Sequence, residues 1–273
     1  MVGGITTLKG VMIPEFPPKQ LVVGTPISIT TFEEVQALLA VPRTDRATVV
    51  AVCNVHSVMS ARRQPELSEA LASADIATPD GMPLVWGLRA FRRDQKERIY
   101  GPEIMRRALT DQSADNYHFF FGSTSETLEL LQTGIRRINP DVNIAGAIAP
   151  PFRSLSDSEE SEILEKIHQS GANVVWVGLG MPKQEFWMHR VRDQLPGVTL
   201  LGVGAAFDFL AGTKKQAPHW MRNSGLEWLF RLMQEPRRLW RRYLWNNPAC
   251  MILLTFQVIR GRRSTPRAVP PRR

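Results

Sequence analysis

Two short stretches hold the residue types best suited to chemistry. In "GLGMPKQEFW", residues 178–187, Gly178 and Gly180 end an apolar run, a proline follows at a first-turn position, and Lys183 and Gln184 fall in the first turn of a helix. Free backbone N–H groups and the positive end of a helix dipole suit such a turn to phosphate. The third glycine of the dinucleotide fingerprint is absent, and an ordinary tight strand-to-helix turn would read the same way. In "TPDGMP", residues 78–83, Asp80 occupies a Pro-Asp-Gly turn. Backbone preference alone puts aspartate there, yet a carboxylate within hydrogen-bond reach of a bound hydroxyl can also serve as general base. Asn54 at a strand end and Arg98 in "ERIYGPEI" are further candidates, with strand termination and a solvated charge as their plain alternatives. Asp208, inside the apolar run "GAAFDFLAG", is either a buried structural carboxylate or part of a site.

Charge narrows the partners. Of 273 residues with a formal net charge of +8, those from Arg222 onward contain twelve arginines, no lysine and two acids, a local +10, while the first 221 carry −2. "EPRRLWRRYLW", 235–245, sits in this region; the apolar run "ACMILLTFQVI" and the tail "RGRRSTPRAVPPRR" follow it. The apolar run is well short of the ~20 residues of a spanning helix, so the pattern fits a helix lying on an anionic membrane surface. Arginines interleaved with aromatics also suit a nucleic-acid patch. No Asp-x-Asp pair is present and the histidines at 56, 118, 168, 189 and 219 lack ligand spacing, so no metal is expected. A phosphate site would then use arginines, lysine and backbone amides. Two distant cysteines, Cys53 and Cys250, and an N-terminus without a charged, then apolar, leader fit a cytoplasmic protein.

These residues need a frame. "YHFFFG", "VNIAGAI", "ANVVWVGLG" and "VTLLGVG" read as strands, and the segments between them carry helical spacing, one opened by a Ser156/Glu159 capping box. "ATVVAVCN" reads as another buried strand, followed by helical segments broken at Pro65. Such alternation predicts an α/β, Rossmann-like fold: a mostly parallel sheet with helices on both faces and ligands beyond the carboxyl ends of the strands. The expected organisation is a core over 1–220, a basic amphipathic helical appendage over 221–262 and a flexible basic tail over 263–273.

Taken together, "ATPDGMPLVWGLR", "ERIYGPEIM", "FFFGSTSE", "GLGMPKQEFWM", "GVGAAFDFLAGTKKQAPHWM" and "GLEWLFRLMQEPRRLW" resemble, in this order, the WecG/TagA/CpsF family of bacterial glycosyltransferases over roughly residues 20–245. The resemblance implies a metal-independent, inverting hexosyltransferase without cofactor. Its donor would be a UDP-sugar and its acceptor a sugar on a polyprenyl diphosphate, at the inner face of the bacterial plasma membrane, in polysaccharide, capsule or teichoic acid synthesis. The hexose implied is N-acetylmannosamine, its uronic acid or glucose. Carried over by motif, Asp80 is the base on the acceptor hydroxyl; Asn54, Arg98 and Gln184 line the site; Arg231, Arg238 and Arg241 contact the UDP diphosphate. Relatives often carry threonine where Val52 stands, so the donor sugar is not copied from them. The resemblance leaves a homo-oligomer open and argues against nucleic acid as partner. A dinucleotide-dependent oxidoreductase, the remaining alternative, is weakened by the absent third glycine and by the lack of a strand-end acid for a ribose.

Overall fold

A computed structural model of the chain describes residues 5–8, 11–14, 16–40, 43–111 and 115–261; the expected basic tail lies outside them. Two antiparallel hairpins come first: β1 (Ile5–Leu8) with β2 (Val11–Pro14), and β3 (Lys19–Val22) with β4 (Thr25–Ser28). Helix α1 (Phe32–Ala40) leads into β5 (Thr48–Cys53), α2 (Val55–Ala61), α3 (Pro65–Ser73), β6 (Ile76–Pro79), α4 (Met82–Ala90) and α5 (Gly101–Thr110). The alternation continues through β7 (His118–Gly122), α6 (Ser125–Ile138), β8 (Ile144–Ile148), α7 (Asp157–Gln169), β9 (Val174–Gly178), α8 (Lys183–Val191) and β10 (Thr199–Gly202). Four helices close the chain: α9 (Ala206–Leu210), α10 (His219–Asn223), α11 (Glu227–Gln234) and α12 (Pro236–Gly261).

Strands β5 to β10 form one parallel sheet in the order β6-β5-β10-β9-β7-β8. The two-residue repeat of a strand divides its side chains between two cores. Val49, Ala51 and Cys53 of β5, with Val175 and Val177 of β9, pack under α2, α3, α4 and α8. Val50 and Val52, with Phe120, Trp176 and Leu201, pack under α1, α5, α6 and α9. Burial on both faces explains why these strands read as unbroken apolar runs. The expected fold class holds, and the N-terminal third belongs to the same sheet, supplying β5 and β6. Local signals also hold: Ser156 and Glu159 exchange the two hydrogen bonds of a capping box, and Pro65 opens α3.

The appendage is firmly seated. Leu239, Tyr243, Asn246, Cys250 and Leu254 form the buried stripe of α12. Its far half lies against α4, where a Cβ at Gly87 would come within 3.0 Å of Leu254 Cδ1. Asn246 Nδ2 lies 3.1 Å from His56 Nδ1 of α2, and Gln257 Oε1 accepts from the Val23 N–H at 2.7 Å. Helix α10 straddles the expected boundary at residue 220.

Candidate active site

The carboxyl ends of β5, β6, β9 and β10 open into a cleft of about 460 Å³ that α11 and α12 wall on the far side. Asp80 reaches it because β6 ends in Pro79 and the chain turns at Gly81, whose φ of +134° favours glycine. The Asp80 N–H donates to the Cys53 carbonyl at 2.7 Å, tying this turn to the end of β5. Its side chain is 26% exposed. Burial pushes the carboxyl up to about 6; Arg98 opposes the rise, Glu227 adds to it, and Arg231 and Arg242 oppose it. A carboxylate held there is poised near neutrality for proton transfer.

Arg98 is no solvated surface charge. Its side chain is 9% exposed, with Nε 3.6 Å from Asp80 Oδ1 and Nη1 2.6 Å from Glu227 Oε2. The guanidinium lies over the Tyr100 ring, 4.3 Å from its centroid. Asn54 does two things at once. It caps α2, its Oδ1 accepting from the N–H groups of His56 and Ser57 at 2.9 and 3.2 Å, and it lines the cleft. The cap commits the oxygen, so its Nδ2 is the group it can offer a ligand.

Gly178 and Gly180 line the floor of the cleft together with Gln184. Gly178 is fixed by packing, since a Cβ there would stand 2.7 Å from the Phe207 ring. Pro182 is the N-cap of α8, and Lys183 begins the helix. Lys183 is exposed and is not among the residues lining the cleft. What the first turn of α8 presents is Gln184 beside Glu185, both buried, with Gln184 Nε2 donating to Glu185 Oε1 at 3.0 Å. Gln184 Oε1 and Glu185 Oε2 are buried without hydrogen-bond partners. Burial pushes Glu185 up to about 7 against its own backbone hydrogen bond and the Gln184 amide. The first turn of α8 thus presents a buried amide and a buried acid to the cleft, and not Lys183.

The cations gather across the cleft. Arg231 of α11 and Arg238 of α12 line it, Arg238 paired with Glu235. Arg241 does not line it; it is exposed, its guanidinium 5.2 Å from the Trp240 ring centroid. Arg242 lines the cleft instead. Helical geometry accounts for the exchange: 238 and 242 stand one turn apart beside the buried stripe, whereas 241 points away from it. Burial, with Arg231 and Arg238 nearby, lowers the Arg242 pKa, and its Nε is buried without a hydrogen-bond partner. Three crowded arginines with an unmet donor have the chemistry to hold an anion. Asp208 is both structural and in the site: it lines the cleft and pairs with Lys214 Nζ at 2.9 Å. Among the described residues, no group of three or more His, Cys, Asp or Glu side chains is placed to hold a metal ion.

A second, smaller cavity of about 90 Å³ adjoins the cleft, sharing Asn54, Asp80, Arg98, Glu227, Arg231 and Arg242 with it. Val55, Met82, Pro83, Trp228 and Tyr243 give this pocket an apolar side. Asp80 therefore lines both spaces, as do Arg98, Arg231 and Arg242; Arg238 lines only the larger, and the smaller is partly apolar. Glu227, Arg242 and Glu185 are the residues that motif reading missed. A glutamate one turn before Arg231 was the available signal for the first.

Residues 20–264 match the model of the family described as "Glycosyl transferase WecG/TagA/CpsF family". Over 202 residues, 73% of this chain and 76% of the relative, the sequence is 29% identical to the N-acetylglucosaminyldiphosphoundecaprenol N-acetyl-beta-D-mannosaminyltransferase of Bacillus spizizenii. The match runs from β3 through the last helix and takes in every cleft residue named above, so the chain belongs to the WecG/TagA/CpsF family and is a glycosyltransferase.

Proposed function

We propose that this enzyme transfers a hexose from a UDP-sugar to a hydroxyl of a sugar carried on a polyprenyl diphosphate, with inversion and without a metal. The observation that carries the reading is that Asp80 lines both cavities together with Arg231 and Arg242, while Arg238 lines the larger. The diphosphate of the donor lies against the arginines, and the acceptor sugar enters from the smaller pocket. The acceptor oxygen attacks the anomeric carbon as the bond from that carbon to the diphosphate oxygen breaks. Asp80 takes the hydroxyl proton, and the arginines take the charge that develops on the departing UDP. A single displacement of this kind inverts the anomeric centre and needs no second carboxylate nucleophile.

The relative's name supports an undecaprenyl-diphosphate acceptor and makes N-acetylmannosamine the first donor sugar to test. Val52 lines the cleft where relatives often have threonine, so a donor other than that one, its uronic acid or glucose among them, fits the same frame.

The enzyme works as a peripheral protein at the inner face of the bacterial membrane, resting on α12. Along the outward side of that helix Trp245 is 79% exposed, and Leu244, Ile252, Phe256 and Ile259 are each more than half exposed, with Arg237, Arg241 and Arg260 beside them. Such a side suits an anionic lipid surface. Among the described residues no helix is long and apolar enough to cross a membrane.

A donor screen tests the function. UDP-hexoses are supplied with a short-chain polyprenyl-diphosphate sugar, and released UDP is read. The expected result is acceptor-dependent release with one of them. Release with none would overturn the proposal.

A further inference from the structure

The contact between Arg98 and Glu227 is chemically conspicuous because it competes with Asp80. A guanidinium beside a carboxylate ordinarily closes on it with two parallel hydrogen bonds of about 2.7–2.9 Å, which holds the acid's pKa low. Here the short contact, 2.6 Å, goes to Glu227, and Asp80 is left with Arg98 Nε at 3.6 Å. Glu227 is the first residue of α11, one turn before Arg231. We propose that Glu227 is a positioning residue for transfer: it holds the Arg98 fork away from Asp80 and leaves that carboxylate free to accept the acceptor's proton. The inference rests on the reading of Asp80 as the base.

The other groups around Asp80 do not duplicate this role. Arg231 of α11 and Arg242 of α12 are cations and act in the opposite sense. His56 of α2 lines the smaller pocket, and burial followed by Arg242 and Arg63 lowers its pKa to about 4, so it is neutral in the working range. Cys53, below the turn, is buried, and burial raises its pKa, so it is a neutral thiol. Among the described residues, Glu227 is the acid facing Asp80 that also claims its arginine. Because Glu227 and Arg231 share a helix, the docking of α11 sets the base and supplies a diphosphate ligand together.

The test is the pH dependence of kcat and of kcat/KM for the donor in the wild type, Glu227→Gln and Glu227→Asp. With Gln at 227, Arg98 closes on Asp80. The acidic limb should then move down by about one pH unit, and kcat on the plateau should fall about tenfold, while the donor KM stays within about twofold. Glu227→Asp should restore most of both. UDP binding by calorimetry identifies which variants keep a formed site, and the limb is read from those. An acidic limb that stays in place or moves upward in a variant that still binds UDP would overturn the proposal. Near-normal turnover by Asp80→Asn would instead overturn the base assignment beneath it, so the two failures are distinguishable.

Discussion

At the scale of single residues, the account turns on what burial does to charge. The Asp80 carboxyl sits near 6, well above an ordinary aspartate, chiefly because it is desolvated. A base acts when deprotonated, so turnover should rise with pH through about 6 and then level off; a profile flat between pH 5 and 8 would deny Asp80 that role. The same shift has a sign for stability. Below the unfolded value near 4 both states are protonated, and as pH rises from there the unfolded chain ionises first, so the folded state loses stability up to about 6. Asp80→Asn should therefore melt no lower than wild type at pH 7.5, with any gain vanishing at pH 4. The arginines make a second prediction. Arg242→Ala should lower kcat/KM for the donor at least about tenfold, as expected for a lost charge-assisted contact, and Arg241→Ala by less than about threefold. Steady-state kinetics with the donor varied decides between them.

The same scale shows what the sequence could not reveal. Asp80, Asn54, Arg98 and Gln184 stand at strand ends or in short motifs, so their local pattern was enough to nominate them. Lys183 was nominated by its place in a first helical turn and Arg241 by the family resemblance, and one position along a helix is about 100° of rotation, enough to turn a side chain out of a cleft. Glu227 offered only its place one turn before Arg231; its partner, Arg98, is far away in the chain, and only the tertiary fold brings the pair to 2.6 Å.

At the scale of elements, periodicity and capping served well wherever packing agreed with them. The boundaries of α7 follow from its capping box, and the breaks around Pro65 follow from proline chemistry. Strand order was not legible. Nothing local in "TLLG" says that β10 lies between β5 and β9, because order is set by which helices cover which face. The appendage is the element whose character changed most. A basic, aromatic stretch suggested a surface foot, yet Cys250 and Leu254 of α12 are buried against the core beside α4. Removing α12 therefore uncovers a core face as well as removing arginines. Leu254→Ala, at a buried residue that lines neither cavity, should cost about 2–4 kcal/mol of unfolding free energy in urea, as large-to-small core changes do. A loss below about 0.5 kcal/mol would mean that α12 is only loosely held.

At the scale of the whole molecule, basic and exposed apolar side chains share the C-terminal helices. From Arg222 to Gly261 seven arginines stand against two acids, and the exposed aromatics of α12 lie on the same helix as Arg238 and Arg242. On the proposed reading, an acceptor anchored in lipid would meet a cleft completed by the segment that rests on the membrane. Vesicles of anionic phospholipid should retain the protein in flotation at low salt, and 0.5 M salt should weaken that retention by screening the arginines. Trp245→Ser with Phe256→Ser should weaken it further without altering UDP binding. Equal retention on purely zwitterionic vesicles would remove the electrostatic half of this picture.

The central claim is that Asp80 drives transfer of a hexose to a lipid-linked sugar. Its most direct test is acceptor-dependent release of UDP, measured with the best donor at pH 7.5 for the wild type and for Asp80→Ala. The account predicts that Asp80→Ala binds UDP as the wild type does but releases it at least about a hundredfold more slowly, the loss typical of a missing general base. Near-normal turnover by Asp80→Ala would contradict it.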